Sequence, residues 1–353
     1  MKKWLKVALC ILLAVVLLVG GYVAYVFIDY HRLGDMTLTP THNAGAAESG
    51  TVYTMISYNI GFGAYESDYG FFMDGGTESR AWSKERLTKN LTAISTFLQE
   101  QDADFYLLQE VDTGATRTYQ VDERAYFTEA LSGMSWVYCQ NYDSPYLMYP
   151  LLKPHGASHA GLMTFSTADI AAASRVELPI EGGFMKLLDL DRCYSVSRIP
   201  VSGSKELVLY NLHLSAYTSD GTIATEQLKL LLADMQAEYE LGNWCVAGGD
   251  FNKDLLGDSA AWFGEADQSY SWAQPIPAET FAGVDISLAA PLDENDPVPS
   301  CRNADGPYHE GQYVLTVDGF LTTPNVTVSQ ATVLDTGFAW SDHNPVKMTF
   351  TLS

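Results

Sequence analysis

The run Val246-Ala247-Gly248-Gly249-Asp250-Phe251-Asn252 is apolar up to two glycines and then presents a carboxylate and a carboxamide two positions apart. A carboxylate that holds or activates water, beside an amide that donates to a charged oxygen, suits phosphate-ester chemistry. Alone, a Gly-Asp-x-Asn of this kind is more often an Asx-rich turn. It does not stand alone. Asn59, Glu110, His213, Asp318, Asp342 and His343 also fall at or beside the ends of segments with strand character, so the polar set draws on six separated stretches. Independent turns explain six such endings poorly. Together these residues could hold a hard cation through Glu110, Asn59 and Asp342, supply a base at Asp250, and donate from His213 and His343 to phosphate oxygens.

Strand ends must position these groups. Thr51 to Asn59 alternates and is rich in β-formers, which predicts a first strand ending at Asn59. Leu87, Leu91, Ile94 and Leu98 recur at helical spacing behind Ser83, a suitable N-cap. Asp104 to Glu110 is a nearly all-apolar strand that closes on a carboxylate. This β-α-β order, with the burial it implies, predicts an α/β sandwich. Further strands are expected at Gly161–Ser166, Arg192–Arg198 and Glu206–His213. A second amphipathic helix, with Leu228, Leu231, Leu232, Met235 and Tyr239 on one face, leads into Trp244–Ala247. Gly248 and Gly249 are expected to allow a sharp turn or a close approach at that strand's end. The chain closes with strands near Tyr313–Leu321 and Pro345–Leu352, and long loops at 143–158 and 266–305 are of the kind that carry function.

Val7 to Ile28 holds no charged residue, and 22 helical residues give about 33 Å, enough to cross a bilayer. Lys2, Lys3 and Lys6 precede the run, so the positive-inside rule puts the amino terminus in the cytoplasm and the remainder outside the cell. A cleaved signal peptide has a shorter apolar core and a small-x-small site, so an uncleaved anchor is the reading preferred for residues 1–30. Residues 31–50 are small and polar with nothing periodic to bury and read as a stalk, and 51–353 form the body. The first thirty residues are net +2 in a chain of −23, so the remainder carries −25. That surface repels polyanions at long range but admits a phosphate ester where a divalent cation reverses the local potential. The five cysteines have no zinc spacing, and the sequence assigns no pair among Cys139, Cys193 and Cys301.

Ser57-Tyr58-Asn59-Ile60, Leu108-Gln109-Glu110-Val111, Asn211-Leu212-His213-Leu214, Gly248-Gly249-Asp250-Phe251-Asn252, Val317-Asp318-Gly319-Phe320 and Ser341-Asp342-His343-Asn344-Pro345-Val346 resemble, in order, the motifs of the endonuclease/exonuclease/phosphatase superfamily. That superfamily includes pancreatic-type deoxyribonucleases, abasic-site endonucleases, bacterial sphingomyelinases and inositol polyphosphate phosphatases. The resemblance spans the body and implies a four-layered αββα sandwich of two packed mixed β-sheets flanked by helices. It implies Glu110 as principal metal ligand, with Asn59 and Asp342 completing or supporting a Mg²⁺ or Mn²⁺ site. Asp250 would orient or deprotonate the attacking water, and Asn252 would donate to the phosphorus centre. His343, oriented by Asp318, would bond the phosphate, and His213 resembles the second phosphate-contacting histidine of the deoxyribonuclease and sphingomyelinase branches. Two departures stand out: Ser158-His159-Ala160 replaces an Asn common before the Gly161 strand, and Ser300-Cys301-Arg302 stands at a Thr-x-Arg element and is given no catalytic role.

His31, His42, His155, His159 and His309 lack motifs and read as solvent or loop histidines, while Arg80, Arg192 and Arg198 read as surface salt-bridge partners. Tyr142, Tyr146 and Tyr149 either border the cleft or cover the sheet. The resulting expectation is a membrane-anchored extracellular phosphoesterase, a phosphodiesterase by the presence of His213. The rivals are an inactive binding module on the same fold, a phosphomonoesterase and a nuclease. Nucleic acid, a phospholipid headgroup and a small phosphoester all remain open as substrate, and no protein partner is implied.

Overall fold

The computed structural model describes residues 2–182, 190–203, 205–216, 222–264 and 273–353. In chain order the elements are α1 (Lys3–Asp29), β1 (Met36–Leu38), β2 (Val52–Asn59), α2 (Lys84–Gln101), β3 (Phe105–Asp112), α3 (Arg124–Ala130), β4 (Ser135–Asp143), β5 (His159–Ser166), β6 (Ala172–Glu177) and β7 (Cys193–Val201). They continue with β8 (Lys205–His213), α4 (Thr222–Glu240), β9 (Trp244–Asp250), α5 (Ser259–Phe263), β10 (Ser287–Ala289), β11 (Cys301–Arg302), β12 (Val314–Leu315), β13 (Asp318–Thr322), β14 (Val326–Val333) and β15 (Val346–Leu352).

Two mixed sheets pack face to face. One has the order β1-β6-β7-β8-β9-β13-β10 and the other β14-β15-β2-β3-β5-β4, with β8/β9 and β2/β3 the parallel pairs. Alternation sorts the side chains. Met55, Phe105, Leu107, Leu209, Val246, Phe320, Met348 and Phe350 point between the sheets and form one core. On the outer face of the six-stranded sheet, Ile56, Tyr58, Tyr106 and Leu108 meet Leu87, Leu91, Ile94 and Leu98 of α2, as the helical spacing predicts. Ser83 caps that helix by accepting from Arg86 N. On the other outer face, Val208, Tyr210, Cys245 and Ala247 meet Leu228, Leu231, Leu232 and Met235 of α4. The result is the expected αββα sandwich.

Polar groups also cross between the sheets. Gln109 Nε2 donates to Asn211 Oδ1 (2.8 Å), and Asn211 Nδ2 donates to Met163 O (2.9 Å), so the layers share a buried polar network beneath the strand ends. Cys139 of β4 and Cys193 of β7 meet across the sheets with their sulfurs 3.6 Å apart.

Two expectations need correction. Residues 31–50 are not a free stalk: β1 pairs antiparallel with β6 at the edge of the seven-stranded sheet, and Ala47 is 1% exposed, its N donating to Pro200 O. An open sheet edge recruits backbone and needs no hydrophobic period, so the pattern of side chains hid this. The stretch 266–305 begins outside the described residues, but from 273 onward it contributes a 3-10 turn (Ala278–Phe281), β10 and β11. The stretch 143–158 is the expected loop, joining β4 to β5 and closed by paired bonds between Leu147 and Gly156. The apolar α1 is long and apolar enough to cross a membrane and is exposed along almost its whole length.

Candidate active site

Register brings the polar set together. Asp250 at the end of β9 lies opposite His213 on β8 and opposite Asp318 on β13, so three functional groups form one row across adjacent strands. Gly249 makes that row reachable. Its φ is +151°, and a Cβ there would come within 2.0 Å of Leu212 O, so the glycine pair serves close approach rather than a sharp turn.

The facing sheet supplies the other half. Asn59 ends β2, and Glu110 occupies a bulge in β3, where the register with β5 shifts between Leu108 and Val111. Gln109 faces between the sheets and Val111 faces outward, which leaves Glu110 as the extra residue, in a left-handed conformation (φ +57°). The bulge thus re-aims its carboxylate from the strand alternation towards the cleft. Asn59 Nδ2 donates to Glu110 Oε1 (3.2 Å) and to Asp250 Oδ2 (3.1 Å), while its Oδ1 accepts from Gly61 N (3.0 Å). Asn59 therefore ties the two half-sites together through its amide rather than offering an oxygen.

The 341–343 segment closes the ring. Ser341 Oγ donates to Asn59 O (2.8 Å) and accepts from His343 N, which fixes Asp342 and His343 over the strand ends. His343 Nδ1 donates to Asp318 Oδ2 (2.8 Å), which also accepts from Ser300 Oγ (2.7 Å). This leaves His343 Nε2 aimed at Asp250 Oδ2 (3.8 Å), with Cys301 Sγ 3.6 Å from the same nitrogen. His213 Nε2 lies 3.4 Å from Asp250 Oδ2, and its Nδ1 is buried without a partner. Asn252 is held in a left-handed conformation with its N on Asp250 Oδ1 and its Nδ2 on Leu214 O, both at 2.8 Å.

Burial pushes the Asp250 carboxyl up to about 7; His343 opposes this and Asp318 adds to it. Burial likewise raises Glu110, against Arg117, and Asp342, against His343 and Arg302. His213 is held well below the ordinary histidine value by burial, then by Arg192 and His343. For His343 burial works the other way, but Asp318, and after it Cys301, hold the imidazole well above its ordinary value. Asp318 therefore stabilises a charged His343 while its neighbour His213 stays neutral.

All eight expected residues converge; seven line one cleft, and Asp318 stands behind His343. Several groups that the sequence did not single out join them. Arg117 is buried, forks onto Asp112 (2.9 and 2.8 Å), stacks 3.8 Å over Phe62 and reaches the cleft. Asp112 two positions beyond Glu110 was its only signal. Arg192, expected at the surface, is 2% exposed and lines the cleft. His155, expected in solvent, is buried in the cleft wall with Nδ1 donating to Ser79 O (2.8 Å) and Nε2 accepting from Ser158 Oγ. Tyr142 borders the cleft; Tyr146 and Tyr149 do not. Arg198 makes the expected ion pairs, with Glu206 and Glu238. Arg302 is buried with four backbone carbonyls, a structural role.

Asp250, Asp318 and His343 bring ligand atoms within 4.8 Å of one another, a spacing compatible with a cation. Asp318 and His343 are already each other's partners, however, and a charged imidazole has no lone pair to give a metal. Glu110 and Asp342 fit better: both carboxylates open onto the cleft, and the Asp342 charge adds to burial in raising Glu110, a cost that a hard divalent cation would relieve.

The profile of the Endonuclease/Exonuclease/phosphatase family matches residues 56–343. The structure is similar to that of an endonuclease/exonuclease/phosphatase from Beutenbergia cavernae (17% identity, TM-score 0.55, covering 86% of this chain and 72% of that one). It is also similar to ANGEL2, described as a 2',3'-cyclic phosphatase in complex with adenosine-2',3'-vanadate (16%, 0.55, 90% and 99%), and to truncated Caenorhabditis elegans TDP2 (15%, 0.51, 86% and 98%). At these identities the likeness is one of fold. No curated protein sequence matches the chain.

Proposed function

The chain belongs to the Endonuclease/Exonuclease/phosphatase family, whose members are divalent-metal-dependent phosphoesterases and nucleases, and from that premise we propose that it is a membrane-anchored, extracellular phosphodiesterase. One observation carries the reading. His213 and Asp250 share a single cleft with Glu110 and Asp342, and His343 is locked there by Asp318 behind it. Glu110 and Asp342 would hold Mg²⁺ or Mn²⁺, supported by Asn59, and the bound ion would lower the charge on a phosphate oxygen.

Asp250, raised to about 7 by burial, accepts the proton of the attacking water, and Asn59 keeps its Oδ2 in place. His343 donates from Nε2 to a phosphate oxygen because Asp318 occupies Nδ1 and favours the charged ring. His213 donates as a neutral imidazole, and its unpartnered Nδ1 makes Nε2–H the donor tautomer. Two imidazole donors suit a diester, whose two unesterified oxygens share one charge. Asn252 fixes the turn that carries Asp250 and adds its amide to the cleft. An inactive binding module would be expected to have lost some of these groups, and every position holds a competent side chain.

The three lysines before the uncharged run that starts at Val7 favour the cytoplasm for the amino terminus and so the outside for the body. The test is hydrolysis of bis-p-nitrophenyl phosphate and of p-nitrophenyl phosphate by the purified full chain. Activity on the diester should vanish with chelator, return with Mg²⁺, and fall at least a hundredfold in Glu110→Gln. Undiminished turnover under excess chelator or in that variant would overturn the assignment.

A further inference from the structure

The hairpin between β4 and β5 carries an unusual tip. Met148, Tyr149, Leu151 and Leu152 are 48%, 67%, 82% and 102% exposed, and no other stretch of the described body exposes four large apolar side chains within five residues. The hairpin is well ordered. Leu147 and Gly156 exchange backbone bonds, His155 N donates to Tyr149 O, Ser79 Oγ donates to Lys153 O, and the Tyr149 ring packs against Phe72. An ordered turn that holds two leucines in water is a binding surface awaiting an apolar partner.

The far end of α1 indicates the partner. Tyr22 Oη accepts from Met148 N (3.0 Å) and donates to Tyr146 O (3.2 Å), and Tyr25 Oη accepts from Tyr146 N (3.0 Å). The hairpin backbone is thus clasped by two tyrosines of the helix that has the length and apolarity to cross a bilayer. Tyr22 lies six residues inside the end of the apolar run at Ile28, about 9 Å along a helix axis. That is the depth at which interfacial segments bury their apolar faces and at which Tyr rings collect.

We propose that hairpin 144–158 is a bilayer-docking element, with Leu151 and Leu152 entering the leaflet from which α1 emerges. The proposal rests on α1 crossing the membrane. Tyr142 and His155 at the hairpin's base line the catalytic cleft, so docking sets the cleft mouth near the lipid headgroups. The site would then face phosphate esters at the membrane surface more readily than esters in bulk water.

The experiment uses the full chain in phosphatidylcholine vesicles, labelled with an environment-sensitive thiol fluorophore and challenged with chain-brominated lipid. Cys10 is the exposed cysteine, the other four being buried, so a label on the unaltered chain reports α1 itself. A label at Leu152→Cys in a Cys10→Ser background should emit to the blue and lose at least half its intensity to brominated lipid. One at Leu241→Cys, at the opposite end of β9 from the cleft, should do neither. A quenched Cys10 label with a water-like, unquenched label at 152 overturns docking and leaves the anchor standing. Leu151→Asp should reduce quenching at 152 at least twofold while leaving hydrolysis of soluble bis-p-nitrophenyl phosphate unchanged. Quenching at 152 that Leu151→Asp leaves intact would also count against the tip. Loss of all hydrolysis with quenching retained would sink the phosphodiesterase reading alone.

Discussion

Asp318 does not line the cleft, so in the proposed mechanism it acts through the 2.8 Å bond to His343. Asp318→Asn and His343→Ala should each lower kcat on the order of a hundredfold or more, and the double variant should be little worse than His343→Ala alone. Additive losses in steady-state kinetics would remove the orienting role while leaving the enzyme intact as a reading. His155 makes a different prediction because it is buried neutral, its basicity lowered to about 3 by burial and then by Arg117. Between about pH 6.5 and 3 the unfolded chain binds a proton that the folded chain refuses, so stability falls as pH falls through that window. The slope approaches about 1.4 kcal/mol per pH unit. His155→Gln, which can still donate and accept, should flatten urea midpoints measured from pH 7 to 4. The eight motif residues were legible because each lies at or near a strand end with a recognisable neighbour pattern. His155, Arg117 and Arg192 were not, because a charged or polar residue in a loop is buried only by partners distant in sequence.

Strands and helices were legible wherever one face had to be apolar, as in α2, α4 and β9. Devices that act through the backbone were not. The bulge at Glu110 leaves no trace in composition, whereas the close approach at Gly249 was signalled by the glycine pair itself. The edge strand β1 was likewise missed, since its pairing with β6 uses peptide groups rather than side chains. Its presence moves the practical start of the body. A chain beginning at residue 31 keeps β1 and Ala47, whereas one beginning at 51 loses both. The longer fragment should be more stable by on the order of 2 kcal/mol in urea unfolding. Equal midpoints for the two would mean that β1 only rests on the sheet.

As a whole the molecule joins a strongly acidic body to an apolar helix. The α/β sandwich followed from the sequence pattern and its four layers from the family resemblance, but the clasp between α1 and the β4–β5 hairpin joins positions more than a hundred residues apart and had no local sign. The meeting of Cys139 and Cys193 is equally long-range. Those two thiols, buried and 3.6 Å apart, meet between the two sheets from positions 54 apart in sequence. Closing the pair would stabilise the sandwich by about 4 kcal/mol on loop-entropy grounds. A cytoplasmic pool of reduced thiols would keep it open; an oxidising exterior, acting through disulfide exchange, would close it. Protein trapped with alkylating reagent straight from cells and digested without reductant should therefore yield a cross-linked Cys139/Cys193 peptide if the body faces outward, and two alkylated peptides if it faces inward. If α1 spans a membrane, the state of the pair would be a chemical record of the side on which the sandwich closed.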